Sequence, residues 1–267
     1  MNMNKVILFL KGFIIGIGKI IPGVSGSLIA LNMGIYEKII NSISNFFKDV
    51  NNNVRFLLNV GIGIIFAIII GSNILSFLLF KYYFITMTIF IGLLIGSNIS
   101  FLKNTSTKKE IIIVVVTFLI MFSLFFIKND NTFIYADNIL NNIYIIALGL
   151  IDAATTIIPA VSGTAIFMIL GSYELFLSIF SNPLSNIKIT ILFFIGLFIG
   201  IIVISKIMNN LLQNKKEIIY PIINGFFLSS ILFLMIETFK KINNYNQIIL
   251  FIPIFFISYK IGKLCNK

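Results

Sequence analysis

The chain has 267 residues, of which 58% are hydrophobic and 11% are charged, and its formal net charge is +11 at pH 7. Soluble domains usually carry about a quarter charged residues, so this composition indicates an all-α polytopic membrane protein. The chain has no histidine and one cysteine, Cys265, which excludes histidine-based hydrolysis, histidine-ligated metals and an internal disulfide. We therefore expect neither an enzyme nor a metal or cofactor site.

Apolar segments recur along the chain and form two similar series of four. They lie at about 6–44, 55–80, 83–102 and 111–128, and then at 139–180, 187–212, 218–239 and 247–263. The last three of each series are near the length that crosses a bilayer core as a helix. The first of each series is too long for one crossing and contains Pro22 or Pro159. Basic residues are scattered through the short loops, so nothing indicates nucleic-acid binding.

The two series are copies of one unit. Shifting the chain by about 137 residues places "GFIIGIGKIIPGVSGSLIALNMGIYEK" over "GLIDAATTIIPAVSGTAIFMILGSYEL" without a gap. The shared P-x-V-S-G and G-x-Y-E patterns go beyond a chance match of apolar residues. We predict one membrane repeat over residues 1–135 and a second over residues 136–267.

The distribution of basic residues indicates how the repeats are oriented. If each broken segment enters and leaves on one side, 14 of the 20 basic residues lie inside and five outside. If each crosses once, the division is nearly even. The positive-inside rule therefore favours hairpins, three further crossings per copy and cytoplasmic N- and C-termini. The second copy is then inverted relative to the first, whether the hairpins are re-entrant or fully spanning.

The two proline breaks are candidates for an anion site. A residue before proline avoids helical geometry, so one half-helix ends near each proline and the next begins near the serine of each motif. Free N–H groups, small residues and hydroxyls there suit a phosphate. The predicted head-group residues are Lys19, Gly23, Ser25, Gly26, Ser27, Ser162, Gly163 and Thr164. The alternative is an ordinary proline kink in each half.

Four charged residues lie within or near the broken segments. Lys19 either supplies the cation for a phosphate, pairs with Asp152, Glu37 or Glu174, or reaches to the interface. Glu37, Asp152 and Glu174 are candidates for taking up a proton that drives transport. Glu37 and Glu174 could equally mark the point where the second half-helix reaches the interface.

The double motif, followed each time by G-x-Y-E, resembles the bacterial polyprenyl-phosphate transporters. The matching positions are Pro22, Gly23, Val24, Ser25 and Gly26, and Pro159, Val161, Ser162 and Gly163. The resemblance implies a plasma-membrane protein that returns undecaprenyl phosphate to the inner leaflet for envelope-polymer synthesis. The sequence departs from the family pattern at Ser27–Leu28, where glycine and threonine are common, and at Ala160, where glycine is usual.

Two other function classes remain to be compared with a lipid-phosphate transporter. A small-anion transporter or channel could use the same half-helix site without a groove for a lipid chain. A membrane enzyme such as a lipid phosphatase needs a nucleophile with a base, and the absence of histidine counts against it.

Overall fold

The computed structural model describes residues 5–20, 25–103, 107–127, 133–161, 163–181, 183–242 and 245–264. These residues form α-helices, one short 3-10 helix and connecting turns, and they contain no strand. The all-helical class predicted from composition is therefore confirmed. In the first half the helices are α1 (Lys5–Ile20), α2 (Gly26–Asn32), α3 (Tyr36–Ser44), α4 (Val50–Lys81), α5 (Tyr83–Lys103) and α6 (Lys108–Leu124). In the second half they are α7 (Ile139–Ile157), α8 (Gly163–Ile169), α9 (Tyr173–Ser181), α10 (Ile187–Asn214), α11 (Lys216–Lys240) and α12 (Tyr245–Leu264).

Helix starts in the two halves recur at the offset found in the sequence. The starts of α2 and α8, α3 and α9, α4 and α10, and α6 and α12 are each about 137 residues apart. Equivalent residues cap two of these starts, since the Asp49 side chain accepts the Asn52 N–H and the Asn186 side chain accepts the Ile189 N–H. A side-chain acceptor at this position satisfies an N–H that the helix leaves free.

Each broken segment contains one more interruption than the sequence analysis predicted. We expected a single half-helix after each proline, but two short helices follow it, joined at Gly34 and at Gly171. Both glycines have positive φ, 69° and 65°, which glycine adopts without steric cost. The Ile35 N–H reaches the Ala30 carbonyl, as the equivalent N–H reaches Phe167 in the second copy, which is the Schellman arrangement. The G-x-Y pattern therefore marks a helix end inside the hairpin.

Four helices in the described part of the chain are long and apolar enough to cross a membrane: α4, over Val50–Gly71, and all of α7, α10 and α11. A shorter apolar stretch covers Tyr83–Ser97 of α5. The protein is thus a multi-pass membrane protein.

Helices pack against each other both within each copy and between the two copies. Within the copies, α1 packs against α4 and α7 packs against α10. Between the copies, α5 packs against α12, α6 against α11, and α5 against α11. The last two helices of each copy therefore exchange partners, which makes the two copies one body. The main core lies where α1–α5 meet α10 and α11, and a second cluster, with Phe167 and Phe193, lies among α7, α8, α9 and α10.

Candidate functional site

The second helix break has an unusual backbone. Helix α7 ends at Ile157 and is followed by Ile158, whose extended φ of −72° and ψ of 121° are those expected before a proline. Ala160, two residues later, is 2% exposed and has a φ of 65°. This left-handed conformation is disfavoured for any residue with a Cβ. Glycine would adopt this conformation without that cost, and the turn at Ala160 redirects the chain between α7 and α8.

The first hairpin and α11 hold the carbonyl groups of this break. The Tyr36 hydroxyl donates to the Ile157 carbonyl over 2.9 Å, and the Ser230 hydroxyl donates to the Ala160 carbonyl over 3.0 Å. The Ser27 hydroxyl donates to the Ile158 carbonyl over 3.4 Å. Helices α2 and α7 also contact each other directly. The hairpin of the first copy therefore lies against the break of the second copy inside the protein.

Of these three hydrogen bonds, the one from Tyr36 should contribute most to stability. Tyr36 is only 2% exposed, so removal of its hydroxyl would leave the buried Ile157 carbonyl without this donor. We expect Tyr36→Phe to lower the free energy of unfolding by about 1–3 kcal/mol. Tyr173→Phe is the matched control, since Tyr173 is the repeat equivalent, is half-buried and donates no hydrogen bond among the described residues. Thermal unfolding in detergent measures both, and equal stability of the two variants would contradict this role.

Ser25 occupies the predicted position before α2, but its hydroxyl has a different partner. Its carbonyl accepts the N–H groups of Leu28 and Ile29, as a helix start requires. Its hydroxyl makes no capping bond and lies 2.8 Å from the Ser27 hydroxyl. Helices α2 and α8 each have only seven residues, so the helix dipole contributes less than we expected from long half-helices. The hydroxyl pair and nearby charge are the main polar features here.

The starts of α2 and α8 are both glycines that admit a polar side chain from the preceding helix. A Cβ added to Gly26 would lie 2.9 Å from Cγ of Lys19, and one added to Gly163 would lie 2.7 Å from Oγ1 of Thr155. Gly26 is thus required for Lys19 to pass over the start of α2. Thr155 was not among the predicted residues, although its place beside the repeated P-x-V-S-G motif was the signal that could have identified it.

Lys19 and Asp152 bring charges of opposite sign together from the two copies. Lys19 is exposed in the described structure, Asp152 is half-buried, and each contributes an electrostatic interaction to the other. Their charged atoms form no direct ion pair within the described residues. Of the three partners proposed for Lys19, Asp152 is therefore the one that lies close enough to interact with its charge.

Four predicted residues cannot be placed in this arrangement. Pro22, Gly23 and Ser162 lie outside the described residues, and the side chain of Thr164 is outside them as well. Pro159 is buried, beside Ala160.

Glu37 lies away from the breaks and has partners on another helix. Its carboxylate accepts from the Tyr220 hydroxyl over 2.6 Å and from the Lys216 ammonium over 3.1 Å. Burial favours the neutral acid, but these two donors outweigh it and hold the pKa of Glu37 below its usual value. Glu37 is therefore ionised near neutral pH, which makes it a weaker candidate for proton uptake than we expected. Glu174, its repeat equivalent, is exposed in the first turn of α9.

An apolar cavity of about 350 Å³ lies beside the first hairpin, between α1, α2, α5 and α12. It reaches along α1 from Ile14 to Gly18, the residue before Lys19. Its main polar feature is Asn32, which donates to Ser97 over 2.9 Å and keeps a buried Oδ1 without a donor in the described structure. The sequence analysis did not predict this cavity, because its walls come from four helices distant in the chain.

Two known transporters are similar to most of this chain. The chain is 24% identical to the polyprenyl-phosphate transporter of Vibrio cholerae serotype O1 over 253 residues, which cover 86% of this chain and 77% of the relative. It is 28% identical to the polyprenyl-phosphate transporter of Staphylococcus aureus over 244 residues, which cover 86% of each chain. Both are named as transporters and not as enzymes, as predicted, and no solved structure matches. Residues 15–248 match the model of the VCA0040-like family, described as undecaprenyl phosphate translocase-like, and the chain belongs to that family.

Proposed function

We propose that this protein carries undecaprenyl phosphate, or a related polyprenyl phosphate, across the bacterial plasma membrane by alternating access. The observation that supports this most is the contact between the start of α2 and the second helix break, beside Lys19. Polar groups gathered at membrane depth are costly, and they are commonly retained where they bind a substrate. Relatives named as polyprenyl-phosphate transporters supply the substrate class. The transported carrier would then serve another round of envelope-polymer synthesis.

Lys19 is the proposed cation for the phosphate group. Lys19 is exposed as a whole residue, and its charge interacts with Asp152 from a distance rather than through a direct ion pair. A phosphate can therefore approach the ammonium without first breaking a short salt bridge. The hydroxyls of Ser25 and Ser27, 2.8 Å apart, supply neutral donors nearby. Charge-assisted hydrogen bonds of this kind are stronger than neutral ones.

The apolar cavity supports a lipid substrate over a small inorganic anion. A small anion needs only the polar groups at the breaks, whereas a polyprenyl phosphate also needs room for its first isoprene units. The cavity adjoins Gly18 and is bordered mainly by aliphatic and aromatic side chains such as Ile14, Ile29 and Phe90. We propose that the start of the prenyl chain lies there while the phosphate is near Lys19.

The proposed topology has three plain crossings per copy, cytoplasmic termini and two copies of opposite orientation. The exchange of partners between the last two helices of the copies supports a pseudo-symmetric pair. Inverted repeats with broken helices supply two related conformations around one site, which suits alternating access.

Binding of a short-chain prenyl phosphate to the purified protein tests this function, with the matching prenyl alcohol as the control ligand. Lys19→Met keeps most of the side-chain length and removes the charge, so we expect affinity for the phosphate to fall by about ten- to a hundredfold. Lys19→Arg keeps the charge with a different donor shape and should lose less. Affinity for the alcohol should change little in either variant.

Inorganic phosphate is the third ligand in this experiment, because it separates a lipid transporter from an anion transporter. The native protein should prefer the prenyl phosphate to inorganic phosphate, since only the former also occupies the cavity. Equal affinity for the two would favour the small-anion alternative. Full affinity of Lys19→Met for the prenyl phosphate would show that Lys19 is an interfacial anchor.

A further inference from the structure

The two copies differ in one contact, although both retain the residues that make it. In the first copy, Glu37 at the start of α3 accepts from Tyr220 at the start of α11. The residues about 137 positions away are Glu174, at the start of α9, and Tyr83, at the start of α5. The chain therefore has a second glutamate and tyrosine in equivalent places. These two side chains form no hydrogen bond with each other in the described structure.

Helix packing explains why only the first contact is formed. Helix α3 packs against α10, which places Glu37 beside the junction of α10 and α11. The equivalent packing would be α9 against α4, which would place Glu174 beside the junction of α4 and α5. The described residues of α9 and α4 show no comparable packing. The two copies therefore differ here: α3 packs against α10, but α9 does not pack in the same way against α4.

We infer that Glu37–Tyr220 and Glu174–Tyr83 are alternating contacts, one of which forms while the other is open. This inference rests on the proposed alternating access, in which the two copies exchange their conformations. Glu174 and Tyr83 then form a contact in the other conformation that is absent from the conformation described here.

The topology places the two contacts on opposite sides of the membrane. The distribution of basic residues puts Lys216, which also binds Glu37, on the cytoplasmic side. It puts Lys81, two residues before Tyr83, and Lys188, which follows α9, on the outer side. Glu174 and Tyr83 are therefore on the same face and can meet without either crossing the membrane. The conformation described here has its cytoplasmic contact closed.

The surroundings of Tyr83 also supply the cation that completes the contact. In the first copy, Lys216 lies 3.1 Å from Glu37, but its repeat equivalent is Leu79, which carries no charge. The Lys241 ammonium lies 4.0 Å from the centre of the Tyr83 ring. Glu237 also interacts with Tyr83, but its carboxylate already pairs with Lys240 over 2.7 Å. The Lys241 ammonium is therefore the positive charge that a further carboxylate approaching Tyr83 would meet. The second contact has the same three chemical groups as the first, although its lysine comes from a different helix end.

Cross-linking in native membranes tests the inference, using the full chain with Cys265→Ser to remove its one cysteine. Glu174→Cys combined with Tyr83→Cys should form a disulfide on mild oxidation. Glu174→Cys combined with Tyr82→Cys is the matched control, because Tyr82 is adjacent and exposed but lies outside the proposed contact. Glu37→Cys with Tyr220→Cys is the positive control.

A third substitution measures the exchange between the contacts. Tyr220→Phe removes the hydroxyl that holds the cytoplasmic contact, so it should increase the cross-linking rate of the outer pair by up to about tenfold. The inference is overturned if the Tyr83 pair cross-links no faster than the Tyr82 pair, or if Tyr220→Phe leaves the rate unchanged. Prenyl-phosphate binding by the same proteins separates the two proposals. Retained binding without cross-linking removes only this inference, whereas cross-linking without binding removes only the proposed substrate.

Discussion

Gly63→Ala should lower the stability of this protein strongly, whereas Gly61→Ala, two residues earlier on the same helix, should not. A Cβ on Gly63 would overlap the carbonyl oxygen of Phe9 on α1, and the backbone N of Phe13 would lie 2.8 Å away. A backbone atom has no rotamer by which to move aside, so α1 and α4 must separate. A Cβ on Gly61 meets nothing within 4 Å.

The expected difference between these variants is large. Overpacking of a close helix contact costs about 1–3 kcal/mol, and we expect Gly63→Ala to be at the upper end. Gly61→Ala should be neutral or more stable by up to about 1 kcal/mol, because alanine is the better helix former. Thermal unfolding in detergent measures both. Equal melting temperatures would show that α1 and α4 are not in close backbone contact.

The same kind of close glycine contact occurs in three further helix pairs of the described structure. Gly149 and Gly196 bring α7 and α10 together, Gly225 faces Thr117 between α11 and α6, and Gly92 faces Ser258 between α5 and α12. Within a bilayer, small residues at the interface allow close van der Waals packing where the hydrophobic effect gives no drive to associate. These glycines therefore fix the partners of each helix and so the frame that holds the two hairpins.

The apolar helices and the end of α7 could be predicted from the sequence because each depends on a local pattern, whereas the inverted orientation of the two repeats stays a prediction. Proline before a small residue and serine determines where α7 ends, and G-x-Y marks where α8 ends and α9 begins. The same local information could not predict that Glu37 contacts Tyr220 or that Tyr36 donates to Ile157. Those partners are more than 100 residues apart, and their pairing depends on how α3 packs against α10 and how α2 contacts α7.

The repeated motifs also gave no indication that equivalent residues of the two copies have different surroundings. Tyr36 and Tyr173 occupy equivalent positions, yet one is fully buried and bonded and the other is half-buried. Two copies of one motif can have different surroundings at any moment if the protein alternates between two conformations. A sequence pattern is the same in either conformation of such a protein, so it cannot show which contact is formed.

Ala160→Val should disrupt the second break, whereas Ala160→Gly should preserve it. At a φ of 65°, the alanine Cβ already costs about 1–2 kcal/mol relative to ordinary backbone conformations. A β-branched residue adds further clashes there, and two extra methyl groups must enter a site that is 2% exposed. The backbone of Ala160→Val can relieve this strain only by leaving the left-handed conformation, which would move the Ala160 carbonyl away from Ser230 and change the approach to α8.

We therefore expect Ala160→Val to lose about 3 kcal/mol or more of stability together with most of its prenyl-phosphate binding. Ala160→Gly removes the steric cost at positive φ, but it loses the burial of one methyl group, about 0.8 kcal/mol, and makes the unfolded chain more flexible, which costs about 0.4–1 kcal/mol, so these effects nearly cancel. Its stability and binding should stay close to those of the native protein. Thermal unfolding and prenyl-phosphate binding, measured on both variants, check this expectation. A stable valine variant that binds normally would show that the left-handed turn at Ala160 is not required for the site.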